Sequence, residues 1–489
     1  MRMHQATSKV LYIDQLKSWF EGSTDIVFKT RTYKEDETAV SLEFLYCSNL
    51  VDMKYINEVI FPSIHTVVDE EDHLNIHQLR NLIEISSLKD RKNVKSEVEQ
   101  KLFSGELIIF SYELNDLFFI PVSGIPKRSP EESSLEPSVR GPRDGFVENI
   151  SDNLALIRQR LKTSSLKSIE YTIGERSRTK ILLLYIDDIM NPSILDTVKK
   201  RLESIKIDIV VSSYEIEEHL YDNVFSIFPL TDYIGRPDFA VQSLNQGRFV
   251  VLVEGNPTCL IGPTNFNQIL YSPEDTNDSF IYISFVRLLR LIAVFVTVYL
   301  PGFYIALITY QLDQVPYSLL ATISVSRLGL PLPAAAEAFI MLILFELFKE
   351  GGLRLPKAVG QTVAVLGGLI IGDAAIRAGL TSPTMLVIVA ITVIAGYTLI
   401  NQNMAGNIAL LRFIVLLFSA FLGLFGFFLS FFLITTLVVS LESFGQPYVA
   451  YLSKPHKMDI IKNFVRLPYR FRKKRNQAYS PIDPDSQKE

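Results

Sequence analysis

The sequence predicts a multidomain protein: two N-terminal α/β subdomains followed by an all-α polytopic membrane domain. Three observations predict it. The first is where charge is missing. Leu291–Leu441 spans 151 residues, of which 11 are Asp, Glu, Lys or Arg. Leu291–Leu312, Ala378–Leu411 and Phe413–Leu441 carry none, and about 20 apolar residues suffice to cross a bilayer core as helix. The second is that residues 1–285 hold most of the charge and have ordinary soluble composition. The third is that this region mixes short β-branched and aromatic runs with helical periods, the pattern of α/β domains. The expected boundaries are 1–123 and 146–285 for the soluble subdomains, 124–145 for a linker, 286–441 for the membrane domain and 442–489 for a basic tail.

In the first subdomain, Asp25–Thr32 and Thr38–Cys47 alternate or are rich in β-branched and aromatic residues, which favours strand. Ile76–Leu88 has apolar residues near helical spacing. Glu106–Tyr112 and Leu117–Val122 flank Glu113–Asp116 as a hairpin would. Pro126, Pro130, Pro137 and Pro142 break the linker, whose composition cannot build a core. In the second subdomain Val147–Lys162 reads as helix. Lys180–Ile186 and Ile207–Ser212 read as buried strands with a helix, Ser193–Ile205, between them. Strand, helix and strand at that spacing predict a βαβ crossover and a parallel pair. Arg248–Glu254 reads as a further strand.

The membrane domain is expected to hold about four spans: Leu288–Tyr310, Ala358–Arg377, Pro383–Ile400 and Phe413–Leu441. Pro301-Gly302 predicts a kink in the first. The last is 29 residues without charge. One long tilted helix is the preferred reading, with a hairpin broken near Gly423 or Gly426 as the alternative. Ala334–Phe348 is short for a span and is expected to be re-entrant or amphipathic, stopped by Gly351-Gly352. Arg287 and Arg290 precede the first span, and Lys454–Arg475 carries nine Lys or Arg against one acid, Asp459. Both sets of bases predict a cytoplasmic location for the two ends, hence an even number of spans. The first residues contain no apolar signal segment, so the N-terminal domain is expected in the cytosol. Beside a membrane, Arg470–Arg475 is expected to meet anionic lipid rather than nucleic acid.

Net charge is −5, which points to no particular polyanionic partner. Cys47 and Cys259 form no disulfide framework or metal spacing. The sequence has no phosphate-binding glycine loop, dinucleotide fingerprint, His-Glu-x-x-His or Gly-x-Ser-x-Gly. No enzyme activity, cofactor or metal is therefore expected. His73 and His77 could clamp a metal on one helix, but a solvated acidic turn with two surface histidines is the commoner outcome. Asp373 and Arg377 stand at i, i+4 within a span, where charges usually face a partner or a watery path. Arg377 could equally snorkel to the interface with Asp373 paired to it. Glu337 and Glu346 lie nine residues apart, on nearly opposite sides of the short apolar helix. Glu346 can pair with Lys349. Glu337 has no base nearby in that helix and is the better candidate for a pore or subunit contact. Gly423 and Gly426 among phenylalanines predict close helix–helix contact.

Several stretches resemble one family, the A subunits of bacterial spore germinant receptors. They are Gly141-Pro-Arg-Asp-Gly-Phe-Val-Glu-Asn149, Gly174-Glu-Arg-Ser-Arg-Thr-Lys180, Gly235-Arg-Pro-Asp238, Gln246-Gly-Arg248, Phe345-Glu-Leu-Phe-Lys-Glu-Gly-Gly-Leu-Arg-Leu-Pro356 and Ile371-Gly-Asp-Ala-Ala375. They run in the family's order from about residue 140 to 455. Gly235 stands where an acidic residue commonly precedes Arg-Pro-Asp, and Asp373 where an uncharged polar residue is usual. The resemblance implies residence in the spore inner membrane. It also implies a transporter-like B subunit and a lipoprotein C subunit as partners. Assembly, as a pentamer, would form a nutrient-gated monovalent-cation channel. On that basis Glu337, Glu346, Gln361, Val365, Asp373 and Arg377 are candidate pore or gate residues. Arg143, Asp144, Arg236 and Asp238, in the matching loops, are candidate inter-domain contacts. A membrane scaffold that couples a nutrient-binding partner to later steps without conducting ions is the alternative.

Overall fold

The computed structural model describes residues 13–33, 40–71, 73–88, 93–124, 138, 140–353, 372–449 and 465–486. The chain divides into two units. One contains residues 1–224, 231–263 and 472–489, the other 225–230 and 264–471.

The first unit contains two five-stranded antiparallel sheets. In the first, β1 (Ile26–Tyr33), β2 (Val40–Cys47), β3 (Ser86–Ser87), β4 (Glu106–Ser111) and β5 (Asp116–Pro121) lie in the order β1-β2-β4-β5-β3. The expected hairpin is β4–β5, with Glu106 opposite Pro121. Both faces are covered. Helices α1 (residues 13–20) and α4 (Val94–Leu102) bury Leu16, Phe20, Val98 and Leu102 against Leu45, Ile108 and Phe119. On the opposite face α2 (Phe61–Glu71) and α3 (Ile76–Leu82) bury Ile64, Val68 and Leu79 against Leu42, Phe44 and Ile109. Cover on both sides explains why the central strands β4 and β5 carry runs of consecutive buried apolar residues instead of alternating.

In the second sheet, β6 (Leu166–Ile173), β7 (Thr179–Ile186), β8 (Asp232–Ile234), β9 (Phe249–Val253) and β10 (Cys259–Gly262) lie in the order β6-β7-β9-β10-β8. Helices α5 (Ile150–Arg160) and α8 (Pro237–Asn245) pack Leu154, Ile157, Phe239 and Leu244 on it. The expected parallel βαβ pair does not form. After β7 and α6 (Pro192–Ser204) the stretch 207–212 is extended but unpaired in the sheet, because the far side of β7 is taken by β9 in antiparallel register. The carbonyls of Ile207 and Asp208 instead accept from the N–H groups of Glu175 and Arg176, Val210 N–H goes to Ser177 Oγ, and α7 (Ser213–Leu220) follows. Run length and β-propensity cannot tell a sheet strand from an extended segment bound to a turn.

The second unit is helical: α9 (Phe280–Tyr310), α10 (Tyr317–Ser326), α11 (Ala334–Leu353), α12 (residues 372–377), α13 (Pro383–Tyr397) and α14 (Gln402–Ser440). Among the described residues two helical runs, 280–310 and 404–440, are long and apolar enough to cross a membrane. Helix α9 continues through Pro301. Helix α11 extends past the expected Phe348 stop to Leu353.

The preferred single tilted helix for the last apolar stretch is overturned. The 39 residues of α14 would reach about 58 Å if straight, twice the roughly 30 Å of a hydrocarbon core. The backbone breaks at Gly423, with φ 61° and ψ −142°, a conformation open to glycine and costly for other residues. Val415 and Ser419 meet Gly302 of α9, and Gly423 meets Tyr310. Phe427 then stacks near Phe303 at 5.3 Å and Phe431 near Tyr299 at 5.4 Å. The chain thus climbs α9 from 302 to 310 and descends it again to 299. Residues 402–422 and 424–440 are two arms of a hairpin. At the tip, Tyr310 Oη donates to the Ala420 carbonyl at 2.8 Å and Gln311 Oε1 accepts from Leu424 N–H at 3.4 Å. These bonds satisfy backbone groups that the break leaves without a helical partner.

Candidate functional site

Among the described residues of α10 to α14, buried and half-buried charged side chains form two clusters. The first is Glu337, in the first turn of α11, 1% exposed. Its Oε1 accepts from Thr381 Oγ1 at 3.0 Å, from the Ser382 N–H at 2.6 Å and from Ser382 Oγ at 2.7 Å. Its Oε2 lies 3.2 Å from Arg327 Nη1, just past the end of α10. Ser382 is the N-cap of α13, donating to Glu337 while accepting from Met385 N–H. A carboxylate there complements the positive end of the helix dipole. Ser326, Tyr304 and Thr384 continue the network at 3.1 Å spacings. Glu337 therefore ties the ends of α10, α11 and α13 together.

The second cluster surrounds Glu346. Glu346 is about two turns before the end of α11, 35% exposed, with Oε1 3.4 Å from Lys349 Nζ and Oε2 3.5 Å from Arg412 Nη2. Arg412 is on the first arm of α14 and only 4% exposed. It is the one charge between the charge-free stretches 378–411 and 413–441. That isolation was the signal in the sequence; which residue it would meet was not written there.

The remaining predicted residues fall as follows. Asp373 and Arg377 pair at 2.8 Å but are 60% and 79% exposed. Gln361 and Val365 lie outside the described residues, as does most of the expected span Ala358–Arg377. Arg143 is exposed. Asp144 pairs with Arg160 of α5, in the same subdomain. Arg236, almost wholly buried, grips Asp238 through two bonds, Nε–Oδ1 at 3.0 Å and Nη2–Oδ2 at 2.6 Å. The pair straddles the start of α8, and Asp238 Oδ1 also accepts the Phe239 N–H. His73 and His77 do not share a helix: Asn75 caps α3 between them, and both histidines are exposed. Among the described residues no group of three or more His, Cys, Asp or Glu could hold a metal.

The contact that joins the two soluble subdomains was missed. Asp25, before β1, receives Arg158 of α5 through Nε–Oδ2 and Nη2–Oδ1, both 2.8 Å, with the two side chains 1% and 0% exposed. Ser168 Oγ donates to Oδ1 at 2.6 Å, and Thr24 N–H bonds the Ser168 carbonyl at 3.1 Å. Burial pushes the Asp25 carboxyl up, but the Arg158 guanidinium and the Ser168 hydroxyl outweigh it and hold the group below the ordinary carboxylate range. The Cys47 thiol points at the same carboxylate. Burial and that charge push its pKa up, so it is an inert core cysteine.

Part of the basic tail is already engaged. Arg466 donates to the carbonyls of Asp278 and Thr276. Arg475 donates to the Asn245 carbonyl at 2.8 Å and to Asp483 at 2.6 Å. Tyr479 is buried beside Arg248, and Ile482 N–H bonds the Ile189 carbonyl at 2.9 Å. Arg470, Lys473 and Lys474 are exposed. Within α9, Arg287 and Arg290 both reach back to Asp275, at 3.2 and 3.0 Å.

Comparison with known proteins is consistent along the chain. Residues 14–478 match the family model described as Bacillus/Clostridium GerA spore germination protein. The chain is 42% identical to spore germination protein XA of Bacillus anthracis over 97% of its own length and 96% of that protein's. It is 36% identical to the membrane protein YfkQ of Bacillus subtilis strain 168, over 96% and 90%. Against spore germination protein B1 of the same strain, identity is 32% over 96% and 97%. Among solved structures, the N-terminal domain of the A subunit of the Bacillus megaterium spore germinant receptor GerK3 aligns with 52% of this chain and 94% of its own. The TM-score is 0.40 and the identity 24%.

Proposed function

The chain belongs to the GerA family of spore germination proteins, and from that premise we propose that it is the membrane-embedded A subunit of a nutrient germinant receptor that conducts monovalent cations when opened. It resides in the spore inner membrane and works with a transporter-like B subunit and a lipoprotein C subunit. Copies of the chain assemble, as a pentamer, around the path. Nutrient held by a partner biases the assembly toward the open state by its differential affinity for it.

One observation carries the conducting role: the charges inside the apolar bundle face one another rather than lipid, with Glu346 between Lys349 and Arg412. Ionisable groups at membrane depth are costly and mark substrate or ion paths, proton relays or counter-ions. The topology has its own support. Residues 472–489 belong to the soluble unit. A chain that leaves that unit at 263 and returns at 472 crosses the bilayer an even number of times. Among the described residues α9, α13 and the two arms of α14 supply four crossings, with the soluble unit and the tail on the cytoplasmic side. Arg470, Lys473 and Lys474 are then placed to meet anionic lipid.

The scaffold reading draws on Glu337, whose Oε1 accepts three hydrogen bonds while Oε2 pairs with Arg327, an arrangement that suits a structural joint better than a pore. Conductance separates the two. The full chain, alone and with its B and C partners, is reconstituted into liposomes and potassium flux is followed with and without nutrient, for the native protein, Glu346→Gln and Asp373→Asn. Flux altered by either substitution supports the channel. Folded, inserted protein with no flux in any combination leaves the scaffold.

A further inference from the structure

The geometry points to Arg412 as the residue that masks Glu346 in the resting state, so that separating the pair exposes a carboxylate to passing cations; the inference rests on the conducting role proposed above. Arg412 is ten residues beyond the start of α14 at Gln402, about 15 Å along the helix. That is half the thickness of a hydrocarbon core, too deep to reach a lipid headgroup. Its side chain is buried by the bundle. Among the described residues its Nε and Nη2 find no hydrogen-bond acceptor. A guanidinium kept at mid-bilayer with such poor compensation is costly, and among the described residues the carboxylate that pairs with it is that of Glu346.

The pair is close but not closed. Nη2 stands 3.5 Å from Glu346 Oε2, beyond the 2.7–2.9 Å of a well-formed charged hydrogen bond. Phe413 flanks the guanidinium at 5.4 Å and stacks on Phe339 of α11 at 6.1 Å, so α11 and the first arm of α14 already pack at this level. A small slide of one helix along the other would part the charges without unpacking the rings. Lys349 holds the other oxygen of Glu346. With both bases in place the cluster is net positive and repels cations. With Arg412 withdrawn it is neutral and Glu346, 35% exposed, is available. Arg412 is thus a positioning residue for Glu346 and sets the sign of the field.

The test is potassium and chloride flux in liposomes holding the full-length chain with its partner subunits, without nutrient. Arg412→Gln is expected to raise resting potassium flux about tenfold, within the usual range for couplings between two states. Arg412→Lys should stay at the native level. Adding Glu346→Gln to Arg412→Gln should remove the rise, and the exchange Glu346→Arg with Arg412→Glu should restore low flux. Resting flux in Arg412→Gln equal to native, or a rise that survives Glu346→Gln, overturns the masking role while native nutrient-driven flux keeps the channel. If neither Arg412→Gln nor the exchanged pair inserts while Glu346→Gln does, Arg412 is structural and the inference is overturned. Absence of flux from every variant, with or without nutrient, removes the channel and this inference together.

Discussion

Gly426 rests against the carbonyl oxygen of Phe418, eight residues earlier in the same helical run: a Cβ on Gly426 would overlap that oxygen. In a straight helix the two would stand about 12 Å apart. Their contact brings the two hairpin arms together.

Gly426→Val therefore forces the arms apart and is expected to cost about 3 kcal/mol. It should be read as a fall in the thermal midpoint of the detergent-solubilised protein. Gly406, on the first arm with nothing within 4 Å of its Cβ position, is the control: Gly406→Ala should be neutral or stabilising by helix propensity. Equal losses at both positions would argue for a straight helix.

Arg158→Ala leaves Asp25 charged and buried between the soluble subdomains. The expected loss is about 3–5 kcal/mol, measured by urea denaturation of the full chain. Asp25→Leu with Arg158→Met should recover most of it. The pH dependence follows from the lowered Asp25 pKa. The unfolded chain takes up this proton first, so the contribution is fully present above the unfolded value of about 3.9 and is lost as pH falls through the lower folded value. The native protein should lose stability more steeply below about pH 4 than the Leu/Met variant.

Glu337→Gln places an amide against Arg327 and removes the ionised acceptor at the α13 N-terminus. A loss of about 3 kcal/mol in stability is expected, with a coupling of at least about 1 kcal/mol to Arg327→Met in a double-mutant cycle. Potassium-over-chloride selectivity of the surviving protein should be unchanged. A selectivity change without a stability change would return Glu337 to the pore.

Neutralising the exposed Asp373–Arg377 pair, with Asp373→Asn and Arg377→Gln together, should move stability by less than about 0.5 kcal/mol. Thermal midpoints of the solubilised chain test this. Any change in flux from that variant then reports on conduction and not on folding.

Much of the fold was legible because its signals are local. The β4–β5 hairpin, the β9 strand and the helix after Pro192 show in propensity, turn residues and period. The charge-free stretches show the helical region, and Gly423 was named as a place where a hairpin could break. The choice between a tilted helix and that hairpin was not legible, since both bury the same residues in apolar surroundings. It turned on Tyr310 and Gln311, over a hundred residues earlier, meeting the broken backbone. The parallel pair failed for a related reason: β9 lies far along the chain yet occupies the edge that Ile207–Ser212 would have used.

What the sequence by itself determined is what depends on composition and on neighbours a few residues apart: two α/β subdomains, an apolar helical region, the Glu346–Lys349 contact at i, i+3 and the family motifs. What only the tertiary structure decided is the partner of each isolated charge. Asp25 with Arg158, Glu337 with Ser382 and Arg327, and Glu346 with Arg412 join residues from 10 to 133 positions apart. A buried charge must find an opposite charge or a donor, but that requirement says only that a partner exists. Which residue it is depends on how the helices and sheets pack, and that is a property of the folded chain.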